Sequence, residues 1–353
     1  MTTTTNKMTT KTKTDATTGM TGSYNSNSSP QLAIIKSSAL IIKIAIEMLN
    51  IPPALFPIII ADFGASHGKN SMHVIELIIG YIQELKKTDR SFLIVHNDLL
   101  TNDWNQLFGI LEKNKIFFSV ANARSFYEQC LPPNSLTIGF SSASLHWLSK
   151  KPGNISNHCI SIFAEGAELQ AFQKQARDDY WLFVEKRALE LIQGGIVIIV
   201  LNCLNHEGIT MTESVYHLLY QCAKSILSPD ELLNYTLPVY IRSYAECLDK
   251  ELFDQNSLEL IHSDMAPVDF EFYDKLKNNQ MELKDFAESQ KEFIRCATDS
   301  VLRGVLKDTG KRSKQDIDQL SDQFWKLYKE HVQQNPDDFD IKCYQAYVVL
   351  KKL

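Results

Sequence analysis

One short stretch near residue 60 constrains the fold of this chain more than any other part of it. Ile58-Ile59-Ile60 is an apolar, β-branched run, which is typical of a strand buried on both faces. Asp62 follows the run, and two glycines, Gly64 and Gly68, come next. A strand that enters a glycine turn ahead of a helix forms a ligand site, because the turn has no Cβ to block a ligand and the free N–H groups of the helix point at it.

The helix after the turn is predicted over Met72 to Lys86, with Asn70 or Ser71 as its cap. The glycine spacing is G-x-x-x-G, which differs from the G-x-G-x-x-G of dinucleotide sites and counts against an oxidoreductase. Asp62 would repel a pyrophosphate but suits a cationic amino acid. The ligand that fits this turn is the methionyl part of S-adenosylmethionine (SAM).

More strand and helix signals follow downstream. Strands are predicted over Phe92–Val95, Ile116–Val120, Leu136–Phe140 and Ile196–Leu201, with a helix over Asp178–Ile192 that ends at Gly194-Gly195. Asp98 follows the second strand, where an acid in nucleotide-binding folds accepts hydrogen bonds from both ribose hydroxyls. The alternative is that Asp98 caps a helix over Asn102–Leu111.

The second half of the chain has a different pattern. Residues from about Glu207 to Leu327 look helical, and strand character returns only at Tyr344–Leu350. This pattern predicts one α/β domain with its core at about 50–205 and 335–353 and a helical cap at about 206–334, which we expect to act as a lid. No internal repeat is visible.

Composition excludes several classes of protein. The net charge of −6 counts against a nucleic-acid binder, and seven cysteines without a C-x-x-C pair count against a disulfide framework or zinc site. No apolar run is long enough to span a membrane, and Leu32–Leu49, which contains charges, predicts an amphipathic helix. Residues 1–22 form a threonine-rich tail that we expect to be disordered, a transit peptide being the alternative.

Two polar segments stand out. Ser23–Gln31 precedes the first helix and can be a plain linker or can face a ligand. Ser141–Ser149 follows the fourth strand, where ligands of open α/β sheets bind, and it contains Trp147. The indole can pack in the core or donate a hydrogen bond into a pocket.

Together these segments resemble the SABATH family of SAM-dependent methyltransferases, which esterify small carboxylic acids or N-methylate purine alkaloids. The resemblance runs from about residue 23 to the C-terminus. The family's S-Y-x-x-N-S-x-x-Q, I-A-D-L-G-C-S-x-G-P-N-[ST], N-D-L-x-x-N-D-[FW]-N, G-S-F-Y and S-L-H-W-L-S motifs are matched in order by residues 23–31, 60–71, 97–105, 125–127 and 144–149, the G-S-F-Y motif without its glycine. The last motif is present in full.

The resemblance implies a Rossmann-like class I methyltransferase sheet and assigns the site residues. The cofactor residues, with Asp62 and Tyr24 added to those the motifs imply, are Tyr24, Ser28, Asp62, Gly64, Asn70, Asp98, Leu99, Ser125 and Phe126, and the substrate residues are Tyr24, Gln31, His146 and Trp147. Gln31 and Trp147 would position the substrate carboxylate, with no catalytic base required. The implied reaction converts SAM and a small-molecule acid into a methyl ester and S-adenosylhomocysteine (SAH).

The chain departs from the family pattern at a few positions. Lys69 replaces a proline in the turn and adds a positive charge near a cationic ligand unless its side chain points to solvent. Leu233, Tyr235 and Thr236 fall near the ligands of a magnesium site found in some members, so we expect no metal. An N-methyltransferase and a catalytically silent binder remain alternatives. We expect a cytoplasmic homodimer that associates with neither membranes nor nucleic acids.

Overall fold

The computed structural model describes residues 18–22, 24–53, 56–308, 310 and 312–353, and these residues form one mixed α/β domain. The strands are β1 (Ile58–Phe63), β2 (Phe92–Asp98), β3 (Phe118–Ala123), β4 (Leu136–Ser142), β5 (Leu191–Leu204), β6 (Arg242–Ser243), β7 (Leu258–Asp269) and β8 (Lys342–Lys352). The helices are α1 (Tyr24–Asn27), α2 (Ser29–Ser37), α3 (Ala39–Met48), α4 (Lys69–Glu84), α5 (Trp104–Leu111), α6 (Gly166–Glu190), α7 (Glu213–Ile226), α8 (Pro229–Asn234), α9 (Tyr244–Cys247), α10 (Lys250–Gln255), α11 (Phe272–Lys277), α12 (Leu283–Asp308) and α13 (Lys314–Gln334).

The main strands form a single sheet in the order β3-β2-β1-β4-β5-β8-β7, and β6 pairs with β5 beside it. The first five strands are parallel, whereas β8 runs antiparallel to both of its neighbours. The strand order reverses at β1, which lies between β2 and β4. A crevice therefore opens at the carboxyl ends of β1 and β4, the place where open α/β sheets bind ligands.

Helices cover both faces of the sheet, so the central strands are largely apolar, and polar residues such as Asp62 and Asp98 lie at their carboxyl ends. One face packs against α3, α4 and the cap helices α7 and α13, through residues such as Ile46, Ile78 and Phe324. The other face packs against α6 and α10, through Phe183 and Phe253. No helix among the described residues is both long and apolar enough to cross a membrane.

The structure confirms the predicted α/β class and changes several element boundaries. The helix predicted over Leu32–Leu49 is two helices that meet at Ser38. The helix after the glycine turn begins at Lys69 with Gly68 as its N-cap, so the prediction of Asn70 or Ser71 as the cap is wrong. Both residues lie in the first helical turn instead.

The boundary between α6 and β5 was also predicted wrongly. Gly194 and Gly195 lie inside β5, which begins at Leu191, and not at the end of the preceding helix. The pairing with β4 shifts register at this point, and Gly194 has a φ of +76° with its Cα facing Asn50. The two glycines therefore belong to an irregular part of the strand. In the sequence alone, a Gly-Gly pair is compatible both with such an irregularity and with the end of a helix.

The predicted helical cap contains a strand that the sequence pattern did not indicate. β7 is twelve residues long and lies at the edge of the sheet, next to β8. It has no long apolar run and no regular alternation of buried and exposed residues, and Pro267 lies within it, as is tolerated in an edge strand. Residues 258–269 therefore belong to the sheet, although the sequence places them in the middle of the predicted cap.

Candidate functional site

The glycine turn after β1 leaves no room for side chains. Gly64 has a φ of +106°, and a Cβ at this position would lie 2.2 Å from Ser144 Oγ. Gly68 has a φ of +95°, and a Cβ there would lie 2.4 Å from Leu107 Cδ1. Only glycine combines these backbone angles with these contacts, so the tight bend above β1 depends on both positions.

Asp62 lies at the end of β1 and is buried, with 5% of its surface exposed. Burial is the main reason that the pKa of Asp62 rises to about 7, and nearby Asp98 raises it further while the Ser71 hydroxyl opposes the shift. A cation bound beside this carboxyl group would favour its ionised form. The position therefore suits the ammonium group of an amino-acid ligand.

Asp98 is the last residue of β2, and both of its carboxylate oxygens bind main-chain N–H groups. Oδ2 accepts from Ser66 N at 2.7 Å and Oδ1 accepts from Leu99 N at 2.8 Å. These bonds fix the carboxylate, and each oxygen keeps a further lone pair for a ligand hydroxyl. The alternative prediction, that Asp98 caps the next helix, is wrong, because Asp103 is the N-cap of α5 and accepts from Gln106 N.

Two uncharged hydrogen-bonding side chains line the same cavity. The Oε1 of Gln31 is buried and has no partner among the described residues. Trp147 is 7% exposed, and within the described part of the protein its indole Nε1 donates no hydrogen bond. A buried polar atom without a partner is uncommon in proteins, so Gln31 Oε1 indicates a site for a ligand that can satisfy it.

All these groups surround one cavity at the carboxyl edge of the sheet, with an empty volume of about 920 Å³. Its wall comes from residues 18–35, from the turn and helix start at 62–71, and from the ends of β2, β3 and β4. No lysine or arginine of the described chain belongs to the wall.

The structure brings most of the predicted site residues into this cavity. The wall includes Tyr24, Gln31, Asp62, Gly64, Asn70, Asp98, Leu99, Ser125, Phe126 and Trp147. Ser28 is buried behind the wall, where its carbonyl oxygen accepts from Asn70 Nδ2 at 3.1 Å. His146 lies beside Trp147 with the ring centroids 5.7 Å apart, and burial lowers its pKa to about 4. Ser28 and His146 therefore support lining residues.

Sequence analysis missed part of the wall at the N-terminus. Thr18, Gly19 and Met20 line the cavity, although they fall in the predicted disordered tail. Gly19 N donates to Thr101 Oγ1 at 2.8 Å, and Thr21 N donates to Cys296 O at 3.1 Å. The predicted tail therefore extends too far, because residues 18–22 have defined contacts. Residues 1–17 and Ser23 lie outside the described residues.

The cap does not contribute to the wall. All the described lining residues precede Lys150, and the role of residues 206–334 as a lid stays a prediction. The signal that could have identified the N-terminal wall is weak, because a threonine- and glycine-containing segment is typical of disorder. Its contacts are made with distant parts of the chain.

The residues at which the chain departs from the family motif are compatible with the site. Lys69 is exposed, and its Nζ donates to Asn25 O at 3.1 Å, so its charge lies outside the cavity wall. Leu233 is 45% exposed, whereas Tyr235 and Thr236 are buried. Among the described residues, no three His, Cys, Asp or Glu side chains come together in a group that could hold a metal ion.

Comparisons with known proteins identify the family of this chain. The family described as SAM-dependent carboxyl methyltransferase matches residues 13–353. A probable SAM-dependent methyltransferase of Arabidopsis thaliana is 30% identical over 344 residues, covering 87% of this chain and 88% of the relative. Loganic acid O-methyltransferase of Catharanthus roseus is 28% identical over 62% of this chain and 66% of the relative.

A solved structure shows the same fold. The structure of a loganic acid methyltransferase with SAH superposes with a TM-score of 0.77 and covers 95% of this chain and 98% of that chain, at 24% identity. The sheet thus has the class I methyltransferase arrangement, and the methyl donor of the family is SAM. Because the family match spans nearly the whole chain, this protein belongs to the SABATH family of SAM-dependent carboxyl methyltransferases.

Proposed function

We propose that this enzyme esterifies a small monocarboxylic acid whose carboxylate is positioned by Gln31 and Trp147. The observation that carries the proposal is that one cavity contains two acids, the buried Asp62 and the half-buried Asp98, together with the uncharged side chains of Gln31 and Trp147. The acids suit the ammonium and ribose groups of SAM. The donor atoms Nε2 of Gln31 and Nε1 of Trp147 suit a carboxylate, because they can orient it without neutralising it as an arginine would.

The substrate class follows from the rest of the wall. Ile35, Phe140 and Leu148 are apolar, and no cationic side chain of the described residues is available for a second anionic group. Phosphorylated acids and dicarboxylic acids would therefore leave a charge unpaired next to Asp62 and Asp98. We infer an acid with one carboxylate and an apolar body.

The chain's own residues supply position and a dry environment. SAM, when bound, supplies a methyl group that is already activated by its sulfonium charge. A carboxylic acid is ionised at neutral pH, so no side chain has to remove a proton. Orientation of the acid by Gln31 and Trp147 can contribute up to roughly 7–11 kcal/mol in well-arranged sites. His146 stays neutral because of its low pKa, and we assign it to the support of Trp147.

The test is methyl transfer from labelled SAM to a panel of small aromatic, terpenoid and fatty acids. We expect one class of acid to be esterified and Trp147→Phe to lower its kcat/KM by roughly 10- to 100-fold, because a hydrogen bond to a charged group is lost. SAH affinity should stay near the wild-type value. Trp181→Phe is the matched control, since its indole donates to Asp249 Oδ2 outside the cavity.

Other outcomes separate the remaining alternatives. Methylation of amines but not acids would favour an N-methyltransferase. SAH binding without transfer to any acid would favour a silent binder. Failure of SAH to bind at all would reject the proposed cofactor site.

We also propose that the protein is a cytoplasmic homodimer that does not associate with nucleic acids. All seven cysteines are free, as expected in a reducing compartment, and the net charge is −6. At the free edge of the sheet, Phe118 in β3 and neighbouring Ile116 are 70% and 65% exposed, which suits contact with a second copy. Analytical ultracentrifugation of wild type, Phe118→Lys and the control Leu182→Lys tests the dimer.

A further inference from the structure

We propose that Tyr127 is a positioning residue that links the nucleoside end of the cavity to the main chain of Trp147. This inference rests on the proposed function, because it takes Ser125 and Phe126 as cofactor contacts and Trp147 as the substrate contact. It adds a physical connection between the two, through a residue to which no role has been assigned.

The connection is a short hydrogen bond across the cavity wall. Tyr127 is 5% exposed, and its hydroxyl donates to the carbonyl oxygen of Trp147 at 2.6 Å. Its ring packs edge-on against the preceding Phe126, with 4.7 Å between the ring centroids. Phe126, Tyr127 and Trp147 all line the cavity. A change in the position of Phe126 is therefore transmitted to Trp147 through one side chain.

The segment that carries Tyr127 is fixed from outside by a buried ion pair. Arg187 donates to Phe126 O at 2.7 Å and to Glu128 O at 3.0 Å, and it also binds Glu190 at 2.8 Å. Glu190 Oε1 accepts from the N–H groups of Cys130 and Leu131, at 2.6 and 3.0 Å.

Both ionic side chains of this pair are fully buried, and main-chain groups satisfy the hydrogen-bonding positions that the pair leaves open. A buried ion pair stabilises a protein only when its remaining hydrogen bonds are made, which is the case here. Residues 126–131 are thereby held against α6, so the Tyr127 ring starts from a fixed base. The Tyr127 hydroxyl can therefore fix the position of the Trp147 carbonyl oxygen.

The neighbours of Trp147 are held by other parts of the chain. Leu145 O accepts from Arg242 Nη1 at 2.6 Å, and His146 O accepts from Tyr240 N at 2.9 Å. Ser149 N donates to Asp179 Oδ2 at 2.8 Å. The bond from Tyr127 is thus the tie between this segment and the cofactor side, and its loss should leave the segment folded.

The test compares Tyr127→Phe with Tyr180→Phe. Both substitutions remove one hydroxyl from a buried ring, and Tyr180 donates to Cys247 O at 2.9 Å outside the cavity. SAH is the probe, with its Kd measured by calorimetry. The environment of Trp147 is followed by ¹⁹F NMR of protein that contains 5-fluorotryptophan, with the resonance assigned by Trp147→Phe.

We expect SAH to shift the Trp147 resonance in wild type and in Tyr180→Phe, and we expect this shift to be lost in Tyr127→Phe. The Kd for SAH in Tyr127→Phe should stay within about twofold of the wild-type value. An unchanged shift in Tyr127→Phe, or no shift in wild type despite SAH binding, would overturn the inference alone. If wild type does not bind SAH, the proposed function fails as well.

Hydrogen exchange of the wild-type protein provides a measurement that needs no variant. SAH should slow amide exchange in residues 125–131 and in residues 145–149 together, because Tyr127 joins the two segments. Protection of the first segment without the second would contradict the link, even if Tyr127→Phe could not be purified.

Discussion

At the scale of single residues, the site combines two acids whose surroundings differ. Asp98 has two main-chain N–H partners, whereas Asp62 has a serine hydroxyl, that of Ser71, as its polar partner. Burial raises the pKa of both carboxyl groups, but the value for Asp62 lies at about 7, within the physiological range. The two acids should therefore respond differently to pH and to substitution.

SAH binding should weaken as the pH falls below about 7. The free protein holds Asp62 half protonated near its pKa of about 7, and a bound ammonium group favours the ionised form. Binding therefore releases a proton at and below this pH, and affinity falls by up to roughly tenfold per pH unit. Above the pKa of Asp62, the affinity for SAH reaches a plateau. Burial also raises the pKa of Asp98.

Calorimetry between pH 5.5 and 8, in buffers with different ionisation enthalpies, measures both the slope and the proton release. Asp62→Asn should bind more weakly and show a flatter profile. Affinity that stays constant or rises on acidification would contradict the assigned role of Asp62.

Asp98→Ala should lower the affinity for SAH by roughly 10- to 100-fold, since charge-assisted hydrogen bonds to the ligand are lost. Asp103→Ala is the control, because Asp103 lies nearby in sequence but caps α5 away from the cavity wall. Titration of both variants with SAH measures the difference. Equal affinities would remove Asp98 from the ribose site.

At the scale of elements, the turn between β1 and α4 is the most constrained part of the molecule. Its two glycines have positive φ values and face Ser144 and Leu107 at distances that exclude a Cβ. The turn is thus built against the segment after β4 and against α5. Its shape is a joint property of three elements that converge on the cavity.

Gly64→Ala should destabilise the fold by about 1–3 kcal/mol and abolish SAH binding, because both the backbone angle and the space are wrong for a side chain. Gly80→Ala is the matched control. It lies within α4, a Cβ there would meet nothing within 4 Å, and alanine should stabilise a helix by about 0.5–1 kcal/mol. Urea denaturation of both variants gives the free energies of unfolding. A neutral Gly64→Ala would contradict the steric argument.

At the scale of the whole molecule, the C-terminal strand unites distant parts of the chain. β8 lies between β5 and β7 and is antiparallel to both, so it joins the parallel half of the sheet to a strand from the predicted cap region. The cap helices α12 and α13 connect these strands along the chain. We therefore expect the core and the cap to unfold together.

Ala346→Glu should test this arrangement. Ala346 in β8 is fully buried, and an unpaired carboxylate there should cost at least about 3 kcal/mol of unfolding free energy. Lys351→Gln, at the partly exposed end of the same strand, should change stability by less than about 0.5 kcal/mol. Thermal and urea unfolding should give a single transition for both variants. Separate transitions for core and cap would contradict the single unit.

Sequence alone was sufficient where a local pattern has one structural solution. The apolar run at Ile58–Ile60 and the glycines after it specify a buried strand and a ligand turn, and the S-L-H-W-L-S string specifies the family. The predicted site residues reached the cavity wall with two exceptions, Ser28 and His146. A motif shows which residue type occurs at a position. It does not show whether that residue lines the cavity or supports a residue that does.

What the tertiary structure alone decided depends on contacts between distant segments. β7 is a strand because β8 pairs with it, and residues 18–20 line the cavity because Thr101 and Cys296 hold that segment in place. The bond from Tyr127 to Trp147 spans twenty residues of sequence. In each case the local sequence is compatible with several conformations, and the free energy that selects one comes from partners that are adjacent only after folding.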